Sequence, residues 1–148
     1  MRCVILPRLD GFGYHRSFKY FVLENAVARH LVCLTFDFDA MSGFISRGMV
    51  SPSPISRGEF GANVGAGRIL ALLKKYKLRT SWYIPGHTLE TYPDQCRAVF
   101  DAGHEIGHHG WTHVPPADMT REQEEAGLVR ANEQIRKLTG QYARGYRS

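Results

Sequence analysis

The sequence has only three cysteines, at positions 3, 33 and 96, and no C-x-x-C among them. That excludes a cysteine-ligated zinc site, gives no reason to expect a disulfide framework, and makes a reducing compartment the default. No apolar run approaches the eighteen or so residues of a membrane span. The Val4-Ile5-Leu6 run ends at Pro7, Arg8 and Asp10, far too soon for a signal peptide. These absences together lead to the expectation of a cytoplasmic protein without membrane association. The net charge is +5, but its basic residues are scattered, apart from Lys74-Lys75 and Lys77. One solvated helix face accounts for those three, so a nucleic-acid partner is not expected. Gly61, Gly65 and Gly67 are followed by no G-K-[ST] and do not form G-x-G-x-x-G, which argues against a nucleotide site.

What is present is an ordinary globular composition, 43% hydrophobic and 22% charged over 148 residues, enough for one domain with a real core. Residues 1–30 read as an N-terminal extension, with a candidate amphipathic helix over 17–26. From residue 31 to 148 the pattern alternates. His30–Asp39 is a short apolar run suited to a buried parallel strand. Residues 40–61, rich in Ser, Gly and Pro, read as a long loop. Ile69, Leu72, Leu73 and Tyr76 form a helical stripe, and Arg79–Ile84 reads as a second strand, stopped at Pro85-Gly86. Pro93-Asp94 opens another helix, with Gly103 at its C-terminal end. The histidine stretch reads as a third strand running into a turn. Thr120-Arg121-Glu122-Gln123 is a capping box for a helix ending near Leu138 and Gly140, and Gln141–Ser148 begins a fourth strand. Strand and helix in alternation imply an α/β fold with a parallel sheet or barrel. A full eight-unit barrel takes roughly 250 residues, so about half of one is expected here.

The densest chemistry lies between Gly103 and His113, where four of the seven histidines fall. Imidazole is the commonest protein metal ligand. His109 and His113, four apart and flanked by Gly107 and Gly110, can converge. One carboxylate from Asp37 or Asp39, on the same side of a strand end, would complete three protein ligands with one open position. At such a zinc site the pKa of water falls to about 7, and the remaining carboxylate is free to act as its base. A competing pattern, His104-Glu105-Ile106-Gly107-His108, matches the H-E-x-x-H of zinc proteases. It requires a helix, against which Gly103, Gly107 and Gly110 each cost about 1 kcal/mol relative to alanine, and it leaves the aspartates unused.

The run Thr35-Phe36-Asp37-Phe38-Asp39, then Tyr83-Ile84-Pro85-Gly86, then Gly103–Gly107 leading into His109–His113, and finally Gly145-Tyr146-Arg147-Ser148 resembles the polysaccharide deacetylases. These share the nodulation-protein-B homology domain of carbohydrate esterase family four. The likeness is to the branch with peptidoglycan-deacetylase-like and allantoinase-like members. It covers roughly residues 31–148, the N-terminal portion of such a catalytic domain, and implies a partial (β/α) barrel of the deacetylase type. It also implies Asp37 as catalytic base, oriented by Arg147, and Asp39, His109 and His113 as ligands of a divalent metal, zinc first. His104 and His108 match no functional position in the family; strand or turn packing is expected for His104, and an outer-sphere or solvated place for His108. His87, after Pro85-Gly86, could line the site, but a loop histidine is expected first; Trp82 is expected in the core and Trp111 on the wall of the site. Many members have adjacent aspartates, whereas Phe38 separates Asp37 from Asp39, so base and ligand could exchange.

The resemblance implies a metal-dependent hydrolase of non-peptide carbon–nitrogen bonds, foremost the deacetylation of an N-acetylated sugar or polysaccharide. An allantoinase-like or cyclic-imide hydrolase is the enzyme alternative. A catalytically inert metal-binding fragment is the other, since the general-acid histidine of the family has no counterpart before Ser148. The zinc protease is a minor third. The partner is then an N-acetylated carbohydrate or small amide or imide, with homo-oligomerisation left open.

Overall fold

The structure, a computed structural model, describes residues 32–148. The extension over residues 1–30 and its candidate helix lie outside the described residues. Leu34–Ser148 form one compact unit. Among the described residues no helix is long and apolar enough to cross a membrane. Cys33 is disulfide-bonded. Cys96 is a free thiol buried in the core, where desolvation pushes its pKa up to about 12.

Three short strands, β1 (Thr35–Asp37), β2 (Ser81–Ile84) and β3 (Glu105–His108), form a parallel sheet in that order. The register sets Phe36, Trp82 and Ile106 in one cross-strand row and Asp37, Tyr83 and Gly107 in the next. Alternation sends these rows to opposite faces. The Trp82 face is the core side, packed with Ile84, Leu73, Cys96, Val99 and Ile135 from the strands and their connecting helices. The Asp37 face carries polar side chains and becomes the site.

Among the described residues six α-helices accompany the strands: α1 (Ser42–Ile45), α2 (Pro52–Phe60), α3 (Ala66–Tyr76), α4 (Gly86–Thr91), α5 (Pro93–Asp101) and α6 (Arg121–Thr139). Residues 40–61 are therefore mostly helical, not a loop. Pro52 and Pro54 stand in the first turn of α2, where the missing N–H groups would have had no helical acceptor anyway. A π-helical turn, Gly61–Gly65, joins α2 to α3. The glycine of α2 is used for close packing: a Cβ on Gly58 would lie 2.6 Å from the Met41 backbone.

The ends of the later helices follow their sequence signals. Gly103 adopts φ +84°, and the bonds from Gly103 N–H to Phe100 O (2.9 Å) and from His104 N–H to Val99 O (3.4 Å) make a Schellman stop. Thr120 and Gln123 cap α6 reciprocally, and Gly140 ends it in the left-handed region. β1 is shorter than expected, since Val32, Cys33 and Leu34 are exposed and outside the sheet. The fourth strand is reduced to one parallel bridge between His108 and Tyr146, flanked by bonds from His108 N–H to Gly145 O (2.8 Å) and from Arg147 N–H to His108 O (3.0 Å).

Candidate functional site

β1 ends at Asp37, and the chain turns sharply three residues later, where Ala40 takes a left-handed φ of +48°. The turn aims Asp39 toward the loop that follows β3. That loop is shaped by Gly110 at φ +70° and by His113 at φ +62°, a conformation a β-substituted residue adopts only when its surroundings enforce it. The result is convergence. His109 Nε2 lies 3.4 Å from Asp39 Oδ1, and His113 Nε2 lies 3.6 Å from Asp39 Oδ2. The two imidazole rings stand nearly edge to face, with centroids 4.6 Å apart. One ligand atom from each of the three residues falls within 4.8 Å of the others.

The surroundings determine the state of His109. Its Nδ1–H donates to the backbone carbonyl of Arg147 at 2.7 Å, so in the neutral ring Nε2 carries the lone pair. Both His109 Nε2 and Asp39 Oδ1 are buried without a hydrogen-bond partner. Two buried acceptors facing each other across 3.4 Å repel unless a proton or a metal cation stands between them, and buried orphans of this kind are uncommon. Two imidazoles and a carboxylate are the donor set of a catalytic zinc site. The residues present therefore fit a divalent metal. Burial raises the pKa of the Asp39 carboxyl, opposed by His113 and His109; the Asp37 carboxylate adds to the rise and Arg47 opposes it.

Beside this triad, Arg147 does two things. Its backbone holds His109, while its guanidinium forms an ion pair with Asp37 through Nη1 and a 2.7 Å hydrogen bond to Thr35 Oγ1 through Nη2. The guanidinium lies 4.1 Å over the ring of Tyr83, the strand neighbour of Asp37. The ring has space because position 107 is glycine; a Cβ there would come within 2.7 Å of it. Thr35 and Tyr83 were not singled out from the sequence. The available signal was period two: Thr35 stands two before Asp37, on the same face of β1.

The H-E-x-x-H reading fails on secondary structure and on valence. His104 precedes β3, and Glu105 and His108 lie within it, so there is no helix. His104 Nδ1 lies 3.3 Å from both the backbone N–H and the hydroxyl of Thr80, and Glu105 accepts from Ser81 Oγ at 2.5 Å. His108 is buried, not solvated: Nε2–H donates to Leu128 O at 2.9 Å and Nδ1 accepts from Gly110 N–H at 3.1 Å. Neither ring nitrogen of His108 is left for a metal. Burial holds the pKa of both histidines below the ordinary value, which suits neutral structural rings. His87 is on α4 rather than in a loop, with Nδ1 3.0 Å from Ser42 Oγ. Trp82 is fully buried. Trp111 walls a cleft of about 600 Å³ beside His109 and His113, together with Val114, Pro115, Met119 and Leu128. The Arg130 guanidinium stacks 3.5 Å over the Trp111 ring.

Comparison with known proteins bears on the family and the fold. The chain is 45% identical over 118 residues to a peptidoglycan deacetylase of Helicobacter pylori, an alignment covering 78% of this chain and 40% of that protein. It thus spans about two-fifths of the length of that curated relative. Among solved structures, a candidate polysaccharide deacetylase from Mycobacterium smegmatis superposes with a TM-score of 0.72 at 29% identity, over 77% of this chain and 41% of that one. An allantoinase superposes with a TM-score of 0.69 at 25% identity, over 78% of this chain and 45% of that one. The sequence profile of the polysaccharide deacetylases matches residues 24–148, and with that match spanning most of its length the chain belongs to the polysaccharide deacetylase family.

Proposed function

We propose that the chain carries the site of a metal-dependent hydrolase that removes acetyl groups from an N-acetylated sugar or polysaccharide, and that its sheet is part of a (β/α) barrel. Asp39, His109 and His113 would hold a divalent cation, zinc first. When bound, such an ion polarises a carbonyl oxygen and makes water a better nucleophile near neutral pH. Asp37 would take the proton from the water that adds to the amide carbonyl carbon; as the C–N bond breaks, that proton would pass to the leaving nitrogen, giving acetate and the free amine. Because Arg147 occupies Asp37 Oδ1, Oδ2 is the oxygen left for that proton. The guanidinium aims the base through a charge-assisted contact, stronger than a neutral one. The observation that carries this reading is the pair of buried, unpartnered atoms, Asp39 Oδ1 and His109 Nε2, set against His113.

The test is deacetylation of an N-acetylglucosamine oligomer by the zinc-loaded protein, by chelator-treated protein and by Asp37→Asn. Activity is expected only in the first. Turnover that survives both chelation and Asp37→Asn would sink the assignment. The superposition on an allantoinase favours one second reading, hydrolysis of allantoin or a cyclic imide, which also breaks a C–N bond. Running allantoin and an imide beside the sugar oligomer separates the two. A zinc-loaded protein inert on the whole panel would point to metal binding without catalysis.

A further inference from the structure

The backbone carbonyl of Asp39 accepts two hydrogen bonds, from Ser42 N–H at 2.9 Å and from Thr88 Oγ1 at 2.7 Å. A hydroxyl has one proton to give. With that of Thr88 committed to a carbonyl, Thr88 Oγ1 must accept from Ser42 Oγ, 2.9 Å away. Ser42 Oγ must then accept from His87 Nδ1–H at 3.0 Å. The direction of the chain is forced: His87 to Ser42 to Thr88 to Asp39. Ser42 and Thr88 are wholly buried, so water cannot replace any member cheaply.

The helix that supplies His87 and Thr88 also grips the other side of the site. From its first turn, Gly86 N–H donates to Gly110 O (3.0 Å) and His87 N–H to Trp111 O (2.9 Å), inside the loop between His109 and His113. The approach is close: a Cβ on Gly86 would lie 2.4 Å from the Trp111 ring. α4 is thus tied to both loops that carry the triad. Each of those loops includes a non-glycine residue in the left-handed region, Ala40 and His113. Such conformations cost about 1–3 kcal/mol and persist only when neighbouring structure imposes them.

We infer that Thr88, backed by Ser42 and His87, is a positioning residue for Asp39. The hydroxyl chain sets where the Asp39 carboxylate stands relative to His109 and His113, and with it the affinity for a divalent cation. This rests on the metal reading above.

The experiment is zinc affinity, measured by competition with a chromophoric chelator, with thermal unfolding of the metal-free proteins alongside. Thr88→Val keeps the volume and loses the donor; Thr88→Ser keeps the donor. Thr88→Val is expected to bind zinc about 10- to 100-fold more weakly, the usual penalty for losing an outer-sphere support of a ligand, and Thr88→Ser to recover most of it. A merely structural role would lower the melting temperature of both without this split. Folded Thr88→Val with wild-type affinity, or Thr88→Ser as weak as Thr88→Val, overturns the inference. Should Thr88→Val fail to fold, His87→Ala and His87→Asn decide. The asparagine N–H can replace Nδ1–H, so only His87→Ala should lose affinity, and equal affinities overturn the inference. Wild-type protein that takes up no zinc overturns the metal reading and this with it. Zinc uptake that is lost in His109→Ala but unchanged in Thr88→Val overturns this inference alone.

Discussion

His104 and His108 lie on or beside β3, and His109 and His113 lie in the loop after it; each pair is spaced four residues apart. Their environments are opposite. The β3 histidines have found backbone and hydroxyl partners, and His108 has spent both ring nitrogens. In the loop, His109 has Nδ1 engaged, and its buried Nε2 faces a buried carboxylate oxygen without a hydrogen-bond partner. A histidine is a ligand candidate when the fold satisfies one nitrogen and withholds a partner from the other. By that standard His104 and His108 are structural, and His109 and His113 are the ligand candidates.

The sharpest way to break the contrast is to delete each ring in turn. His109→Ala and His113→Ala are expected to lose stoichiometric zinc, whereas His104→Ala and His108→Ala keep it; metal analysis of the purified proteins reads the difference. If the β3 variants lose zinc and the loop variants retain it, the assignment is reversed. Next in size is Asp37→Asn, which should retain zinc and lower the deacetylation rate by about 10²–10⁴-fold, the usual worth of a general base. Exchange of roles with Asp39 would show as zinc loss in Asp37→Asn instead.

Smaller effects concern stability. His108→Ala leaves Leu128 O and Gly110 N–H without their partner, costing about 1–3 kcal/mol in urea unfolding with zinc content unchanged. The smallest is a pH dependence. Burial and then Arg79 lower the pKa of His104 below its unfolded value of 6.5. The unfolded chain therefore takes up that proton first. The contribution of His104 is fully present above about pH 6.5 and is lost as pH falls from there toward the folded pKa. Thermal melts between pH 7.5 and 5 should fall more steeply for wild type than for His104→Gln; parallel curves would mean that His104 does not titrate on unfolding.

Much of the frame was legible in the chain because its signals are local. The capping box at Thr120 and Gln123, the glycine stops at Gly103 and Gly140, and the short apolar runs of β1 and β2 depend on residues within a few positions of each other. Over 40–61 the prolines and glycines suggest a loop where the chain is mostly helical. In the first turn proline costs little, and Gly58 is there because the helix meets the Ala40–Met41 backbone, a neighbour no local pattern reveals. Thr35, Ser42, Tyr83 and Thr88 escaped for the same reason: their partners lie 45 or more positions away.

The sequence by itself determined the alternation of strand and helix, the concentration of imidazole between Gly103 and His113, and the acids at the end of β1. Spacing alone left two histidine pairs and two carboxylates open as ligands. The tertiary structure decided among them, because whether a nitrogen or an oxygen is free depends on what the fold sets against it. Leu128 O engages Nε2 of His108, the backbone and guanidinium of Arg147 engage His109 and Asp37, and among the described residues Asp39, His109 and His113 are left facing one another.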